Sequence, residues 1–247
     1  MTAPAADLRR AVILAGGAGR RLRPYTTVLP KPLMPIGDRP ILDIVVRQLR
    51  HAGVQRITMA TGHLAELIEA FFRKGEAYGL DIDYFVEREP LGTVGALPLI
   101  DGLDEHFLVM NGDLLSDLDY GKVFADHVAS GAAATIATTT REVQITLGVI
   151  HTDDPEDPNR LTGYSEKPVV RHEVSMGVYC FSHRALEHIE PGQRLDFPDL
   201  VLRLVAAGEL VRAWPSTDYW LDIGRPEDYE RALEDFEALH ERFLPGS

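Results

Sequence analysis

Cysteine is almost absent from this 247-residue chain. Cys180 stands alone, which excludes an internal disulfide and a cysteine-ligated metal cluster and leaves it as a small apolar residue packed in a strand. Long hydrophobic runs are missing too. The first apolar stretch, residues 11–15, is far too short to span a bilayer, and no charged leader with a long apolar segment precedes it. A cytoplasmic protein with no membrane partner is the expectation. Basic charge is scarce: 25 Lys and Arg face 38 Asp and Glu, for a formal net charge of -13. A nucleic-acid surface needs a large basic face, so nucleic acid is excluded as a partner. The nine histidines lack the spacing of metal ligands, and His63 reads as an ordinary loop residue.

What is present is unevenly placed. Residues 1–31 carry Arg9, Arg10, Arg20, Arg21, Arg23 and Lys31 against one acid, Asp7. With glycines between them, these read as a local anion site on an acidic protein. Apolar runs at 11–14, 56–60, 82–86 and 107–110 alternate with helical stretches at 40–51, 64–72 and 94–100, the βαβ rhythm of a parallel sheet. The second half is richer in strands, at 134–139, 148–151, 161–164 and 174–181, with helices near 184–189 and 197–206 and a charged helix at 227–243. Residues 152–159, holding Pro155 and Pro158, read as an exposed loop. The fold class predicted is α/β, one continuous domain over residues 1–247.

The most specific segment is Leu14-Ala15-Gly16-Gly17-Ala18-Gly19-Arg20-Arg21-Leu22-Arg23-Pro24, leading to Lys31-Pro32-Leu33-Met34-Pro35. Glycines let the backbone approach a ligand and turn amide groups toward an anion. Arg21, a planar fork, and Lys31, a mobile point charge, suit a triphosphate. A glycine turn alone also serves any tight strand-to-helix connection, so the combination carries the reading. The Lys-Ser/Thr ending of a Walker loop is missing, as are the third glycine and offset acid of a dinucleotide fingerprint. The segment resembles the signature of sugar-1-phosphate nucleotidyltransferases, Gly-Gly-x-Gly-Thr-Arg-Leu-x-Pro followed by Lys-Pro-x-x-Pro. Arg20 takes the threonine position, where it either meets a phosphate or points to solvent. The resemblance continues through Glu89-Pro90-Leu91-Gly92-Thr93, Asn111-Gly112-Asp113, Glu166-Lys167-Pro168, Met176-Gly177-Val178-Tyr179 and Trp220-Leu221-Asp222-Ile223-Gly224, and so spans about residues 11–236.

The resemblance implies a Rossmann-like mixed, mainly parallel sheet flanked by helices. A nucleotide-binding half covers about 8–115 and a strand-rich sugar-phosphate-binding half about 116–247; many guanylyl and adenylyl relatives carry a further C-terminal β-helix of repeated hexapeptides, and none is expected here. It implies a nucleoside triphosphate and a sugar 1-phosphate as substrates, Mg2+ as cofactor, and leaves a homo-oligomer open. Arg21, Lys31 and Asp113 would be catalytic; Leu14, Gly16, Gly17, Gly19, Arg20, Glu87 and Gly92 would bind the nucleotide; Gly148, Glu166, Lys167 and Gly177 would bind the sugar phosphate; and Asp113 with Asp222 would hold the metal. Asp113 follows an apolar strand and so falls at the carboxyl edge of the sheet, where ligands bind in open α/β folds. Magnesium commonly takes one or two carboxylates plus substrate phosphates. Taken singly, each aspartate reads as a cap or turn residue, Glu166 and Lys167 as a surface ion pair, and Gly148 and Gly177 as strand irregularities.

Relatives acting with thymidine and uridine nucleotides place glutamine five residues before the glycine that matches Gly92; here that residue is Glu87. An ionised carboxylate only accepts hydrogen bonds, which suits the two adjacent N–H donors of guanine. GTP is therefore favoured, as in mannose- and heptose-phosphate guanylyltransferases. Thymidylyl, uridylyl or cytidylyl transfer onto a sugar or cyclitol phosphate is the alternative. A catalytically silent sensing subunit should have lost Arg21, Lys31 or the two aspartates, all of which are present. A glycosyltransferase should carry Asp-x-Asp at a strand end. Asp117-Leu118-Asp119 has that spacing but lies beyond the strand, where both acids read as capping or loop residues.

Overall fold

The computed structural model describes residues 7–244, so the outermost parts of the expected 1–247 domain, 1–6 and 245–247, lie outside the described residues. In chain order the elements are β1 (Arg10–Ala15), the short pair β2 (Pro35–Ile36) and β3 (Arg39–Pro40), α1 (Ile41–His51), β4 (Arg56–Thr61), α2 (Ala65–Phe72), β5 (Asp81–Val86), β6 (His106–Asn111), β7 (Leu114–Ser116) and α3 (Tyr120–Ser130). They continue with β8 (Ala134–Gln144), β9 (Gly148–His151), β10 (Gly163–Glu166), β11 (Val169–Ser182), α4 (Phe197–Ala206), β12 (Val211–Ser216), β13 (Trp220–Asp222), α5 (Pro226–Ala238) and α6 (His240–Phe243).

Seven strands form one sheet in the order β12-β8-β11-β6-β1-β4-β5. Only β11 runs against its neighbours, so the sheet is mixed and mainly parallel, as predicted. Alternation along β1 shows how it is covered on both faces. Ala11, Ile13 and Ala15 pack with Leu42, Val45, Val46 and Leu49 of α1, while Val12 lies on the other face with Phe107, Leu200 and Leu204. A third cluster joins Leu22, Met34 and Ile36 to Phe236 and Phe243, which ties the segment after the glycine turn to the C-terminal helices. Cys180 is fully buried in β11, and burial alone pushes its thiol pKa up. No helix among the described residues is long and apolar enough to cross a membrane.

Three expectations need correction. The helix predicted at 94–100 is only a 3-10 turn, Leu97–Leu99. Its leading residues are engaged elsewhere, with the Val94 N–H donating to the Leu195 carbonyl (3.1 Å) and the Thr93 N–H to Asp196 (3.2 Å), and Pro98 lacks an N–H of its own. The predicted helix at 184–189 is likewise 3-10, His183–His188. The single helix at 227–243 is broken at Leu239, whose φ of -120° leaves the helical region and lets the Phe236 and Phe243 rings stack 5.9 Å apart. Strand β12 was not anticipated: Pro215 argues against a central strand, and it is tolerated here because β12 is an edge.

Candidate active site

The site is built where β1 and β6 end side by side. The Gly112 N–H donates to the Leu14 carbonyl (3.0 Å), and a Cβ at Gly112 would stand 3.0 Å from the Ile13 side chain. Glycine therefore lets the Asn111-Gly112-Asp113 turn lie directly against the start of the glycine turn. Beyond it, β7 pairs antiparallel with β13, placing Asp222 opposite Leu114. Two carboxylates separated by more than a hundred residues thus meet through local register.

The glycine turn has its own steric logic. Gly19 adopts φ +57°, and a Cβ there would sit 2.9 Å from the Thr26 methyl; the Thr26 hydroxyl donates to the Gly19 carbonyl (2.8 Å). Gly17 has nothing within 4 Å of its Cβ position, so its backbone faces open space. Gly16 packs on Gly62, whose own Cβ would stand 3.1 Å from the Gly16 carbonyl oxygen. After the turn, Leu22 is buried as an anchor while Arg20 and Arg21 remain exposed. Lys31 is buried in a 3-10 turn that continues into Leu33 and Met34.

These elements enclose a cavity of about 260 Å³ lined by Leu14, Gly17, Gly19, Arg20, Arg21, Lys31, Asp113 and Gly224, among others. The Lys31 ammonium donates to Asp113 and lies 3.8 Å from Asp222. A Cβ at Gly224 would come within 3.1 to 3.3 Å of the Arg21 guanidinium, so this glycine gives the arginine its place. Burial raises the Asp222 carboxyl pKa, and the Asp113 charge raises it further, with Lys31 and Arg21 opposing. Ionised Asp222 therefore costs folding stability above its raised pKa, a cost absent at lower pH. A cation beside the pair would relieve it. No group of three or more metal-ligating side chains occurs among the described residues, but two carboxylates with room for phosphate oxygens fit a hard divalent ion.

Nothing in its motif singles out Gly224 as a site residue, because only the packing on Arg21 gives it that role. Substituting Gly224→Ala should push the guanidinium aside by a few tenths of an ångström and weaken anion binding in the cavity roughly ten-fold or less, since misplacement of about 1 Å can cost up to ~100-fold. Titration with inorganic pyrophosphate beside a melting curve would show it, and unchanged binding would free Arg21 of that constraint.

Glu87 and Gly92 stand at the side of the turn. Glu87 Oε2 accepts from the Leu91 N–H (3.0 Å), and Oε1 lies 3.6 Å from the Cβ position of Gly16. Burial raises this carboxyl's pKa, against the Leu91 hydrogen bond. It is half-buried against the first glycine rather than pointing freely into water. Gly92 has φ +78°, and a Cβ there would strike the Leu195 carbonyl at 2.4 Å, so its glycine is required by packing alone.

The remaining residues are spread over the second half. Gly177, at φ +70°, sits in the β11 irregularity between Ser175 and Tyr179, and its Cβ would be 2.7 Å from the Asn111 amide. It thus joins β11 to the strand end that presents Asp113, and it is also the strand irregularity anticipated. Gly148, Glu166 and Lys167 lie farther out, on the β9–β10 hairpin and just beyond it. Lys167 Nζ is 3.9 Å from Glu166, both side chains are largely exposed, and no hydrogen bond or ion pair among the described residues links either to the cavity. Asp117 accepts from the Tyr219 N–H (2.7 Å) and pairs with Arg242, while Asp119 caps α3 by accepting from the Lys122 N–H (3.0 Å). The Asp-x-Asp of a glycosyltransferase is therefore a structural pair here.

A larger cavity, about 740 Å³, opens between the last turn of α1, the start of α3 and α6. Its Arg47 and Arg242 are committed to Asp43 and Asp117, and it contains none of the glycine-turn residues. Size alone does not locate the chemistry.

The family model described as nucleotidyl transferase matches residues 10–238. A UTP--glucose-1-phosphate uridylyltransferase from Synechocystis sp. is 35% identical over 244 residues, covering 91% of this chain. A mannose-1-phosphate guanyltransferase from Candida albicans is 34% identical over 231 residues, covering 89%. The chain spans 62% of the length of each of these two relatives. Among solved structures, HddC from Yersinia pseudotuberculosis superposes with a TM-score of 0.69 at 28% identity, covering 93% of this chain and 100% of that one, and it is also known complexed with GMP-PN. With its match running through the glycine turn, both aspartates and nearly every strand, the chain belongs to the nucleotidyl transferase family, among the sugar-1-phosphate nucleotidyltransferases.

Proposed function

We propose that the chain joins a sugar 1-phosphate to a nucleoside triphosphate, giving a nucleotide sugar and pyrophosphate, with Mg2+ as cofactor and GTP as the favoured nucleotide. The carrying observation is the convergence of Arg21, Lys31 and Asp113 on one cavity at the end of β1 and β6, with Asp222 3.8 Å from the Lys31 ammonium. A phosphate oxygen of the sugar 1-phosphate attacks the α-phosphorus in line. A new P–O bond forms as the bond to the bridging α–β oxygen breaks, and pyrophosphate leaves with that electron pair. The nucleophile is already an anion, so no base is required. Positioning and charge stabilisation do most of the work in such transfers. Arg21 and Lys31 carry charge that grows on the departing pyrophosphate, and Gly17 and Gly19 let the backbone approach the phosphates. Asp113 and Asp222 would hold the metal, which supplies further neutralisation of phosphate charge.

In this reading about 8–115 is the nucleotide half and about 116–247 the sugar-phosphate half, one functional unit because the seven-stranded sheet draws strands from both. Lys167 would bring the sugar phosphate toward the triphosphate and offset their repulsion, and Glu166 would accept from sugar hydroxyls. Gly148 and Gly177 would stand beside the sugar phosphate, and Gly92 beside the nucleotide. Arg20 lines the cavity and is assigned a phosphate contact.

Guanine preference rests on Glu87 as an acceptor beside Gly16, and the HddC complex with GMP-PN is in keeping with it. The uridylyltransferase relative favours UTP as the second reading. Pyrophosphate release from GTP, UTP, dTTP, CTP and ATP, each with a panel of hexose and heptose 1-phosphates, tests both. Replacing Glu87→Gln should cut the preference for GTP over UTP by about ten-fold or more, the value of one lost charge-assisted hydrogen bond. An unaltered ratio would remove Glu87 from base selection.

A further inference from the structure

The β8–β11 ribbon projects beyond the sheet. Val178 faces Met110 near the end of β6, and β11 runs antiparallel to β6, so residues 169–177 extend past the carboxyl end of β6, the edge on which the cavity opens. At its outer part the β9–β10 hairpin pairs Tyr164 with Ile150 and Glu166 with Gly148. Tyr164 and Glu166 therefore share one face.

On that face Tyr164 lies diagonally across Gly148. A Cβ on residue 148 would fall 1.9 Å from the Tyr164 hydroxyl oxygen and 2.5 Å from the ring carbon bearing it. The space beside this glycine is thus taken by the ring. The Tyr164 hydroxyl donates to Glu166 Oε2 (3.0 Å), while Oε1 lies 3.9 Å from Lys167 Nζ, too far for a hydrogen bond. Tyr164 is nevertheless 61% exposed, an aromatic face left in solvent beside an oriented carboxylate oxygen. A ring packed on a cross-strand glycine can serve strand pairing alone. The hydroxyl bond to a carboxylate that has no other hydrogen-bond donor among the described residues goes beyond that service.

We propose that Tyr164, seated by Gly148, is a positioning residue that selects the sugar: it holds one oxygen of Glu166 so that the other accepts from a ring hydroxyl, and it presents its ring to the sugar's apolar face. The inference rests on the nucleotidyl-transfer reading above and adds a determinant to it. A freely rotating glutamate would accept from hydroxyls in several orientations; a tethered one discriminates between epimers.

Tyr164→Phe keeps the ring on Gly148 and removes only the hydroxyl. The expected result is a roughly ten-fold higher KM for the preferred hexose 1-phosphate, the scale of one hydrogen bond to a charged group. The KM for nucleotide and the melting temperature should not change, and discrimination between that hexose 1-phosphate and its epimers should narrow. Gly148→Ala, which forces the ring off its seat, should raise the same KM. The double variant Tyr164→Phe/Glu166→Gln should be no worse than Glu166→Gln alone, because the tyrosine acts through the glutamate. Additive losses, or an unchanged sugar KM and epimer ratio in Tyr164→Phe, overturn the proposal while leaving nucleotidyl transfer intact. Wild-type protein that releases no pyrophosphate with any sugar 1-phosphate overturns both.

Discussion

Asp113→Asn should lower kcat by about 100- to 1000-fold or more, the scale seen when one preorganised electrostatic group is removed from a transition state. The substitution is nearly isosteric, so the fold should persist. Asp113 lies between β6 and β7, is only about one-quarter exposed, and contributes its carboxylate to Lys31 and its backbone carbonyl to the Ile223 N–H (3.4 Å). The amide keeps the backbone contact and can still accept from Lys31, but it carries no charge. A fall in turnover that added Mg2+ only partly restores, with an unaltered melting curve, is the expected pattern. Full activity in this variant would take Asp113 out of the site.

Lys31→Met is the second large effect, and it separates activity from stability. The ammonium now stands between two carboxylates, one of which is raised in pKa by burial and by the other's charge. Methionine fills the same space without charge, so turnover should again fall by about 100-fold or more. In chelator the variant should also melt a few degrees lower, since losing about 1 kcal/mol shifts the midpoint by ~2–4 °C in a chain of this size. Added Mg2+ should recover more of that midpoint in the variant than in the wild type, because it replaces the missing positive charge. Equal magnesium responses in the two proteins would argue against a metal at Asp113 and Asp222.

Much of this arrangement was legible in the residues because local chemistry dictated it. A buried strand running into Gly16-Gly17-Ala18-Gly19 with Arg20 and Arg21 has few uses besides an anion site, and the cavity contains these residues with Lys31 and Asp113. The parallel first half was equally plain, since apolar runs of strand length alternated with amphipathic helices such as α1. What escaped the sequence was fixed by distant packing. The helix expected at 94–100 is only the 3-10 turn Leu97–Leu99, since Val94 and Thr93 just before it are tied to Leu195 and Asp196, about a hundred residues away, and Pro98 has no N–H to give. Gly62, Gly112 and Gly224 are each explained by a neighbour that only the fold supplies: the Gly16 carbonyl, the Ile13 side chain and the Arg21 guanidinium. The resemblance groups Gly148 with the sugar phosphate, and the structure fills the space beside it with Tyr164.

Attack at the α-phosphorus is read by following the label from GTP radiolabelled at either the α- or the γ-phosphate, incubated with Mg2+ and the preferred sugar 1-phosphate. The α-label should appear in the nucleotide sugar and the γ-label in pyrophosphate, in equal amounts and only when the sugar phosphate is present. A γ-label recovered on the sugar or as free orthophosphate, with the α-label left in GDP, would mean that the γ-phosphorus is attacked instead.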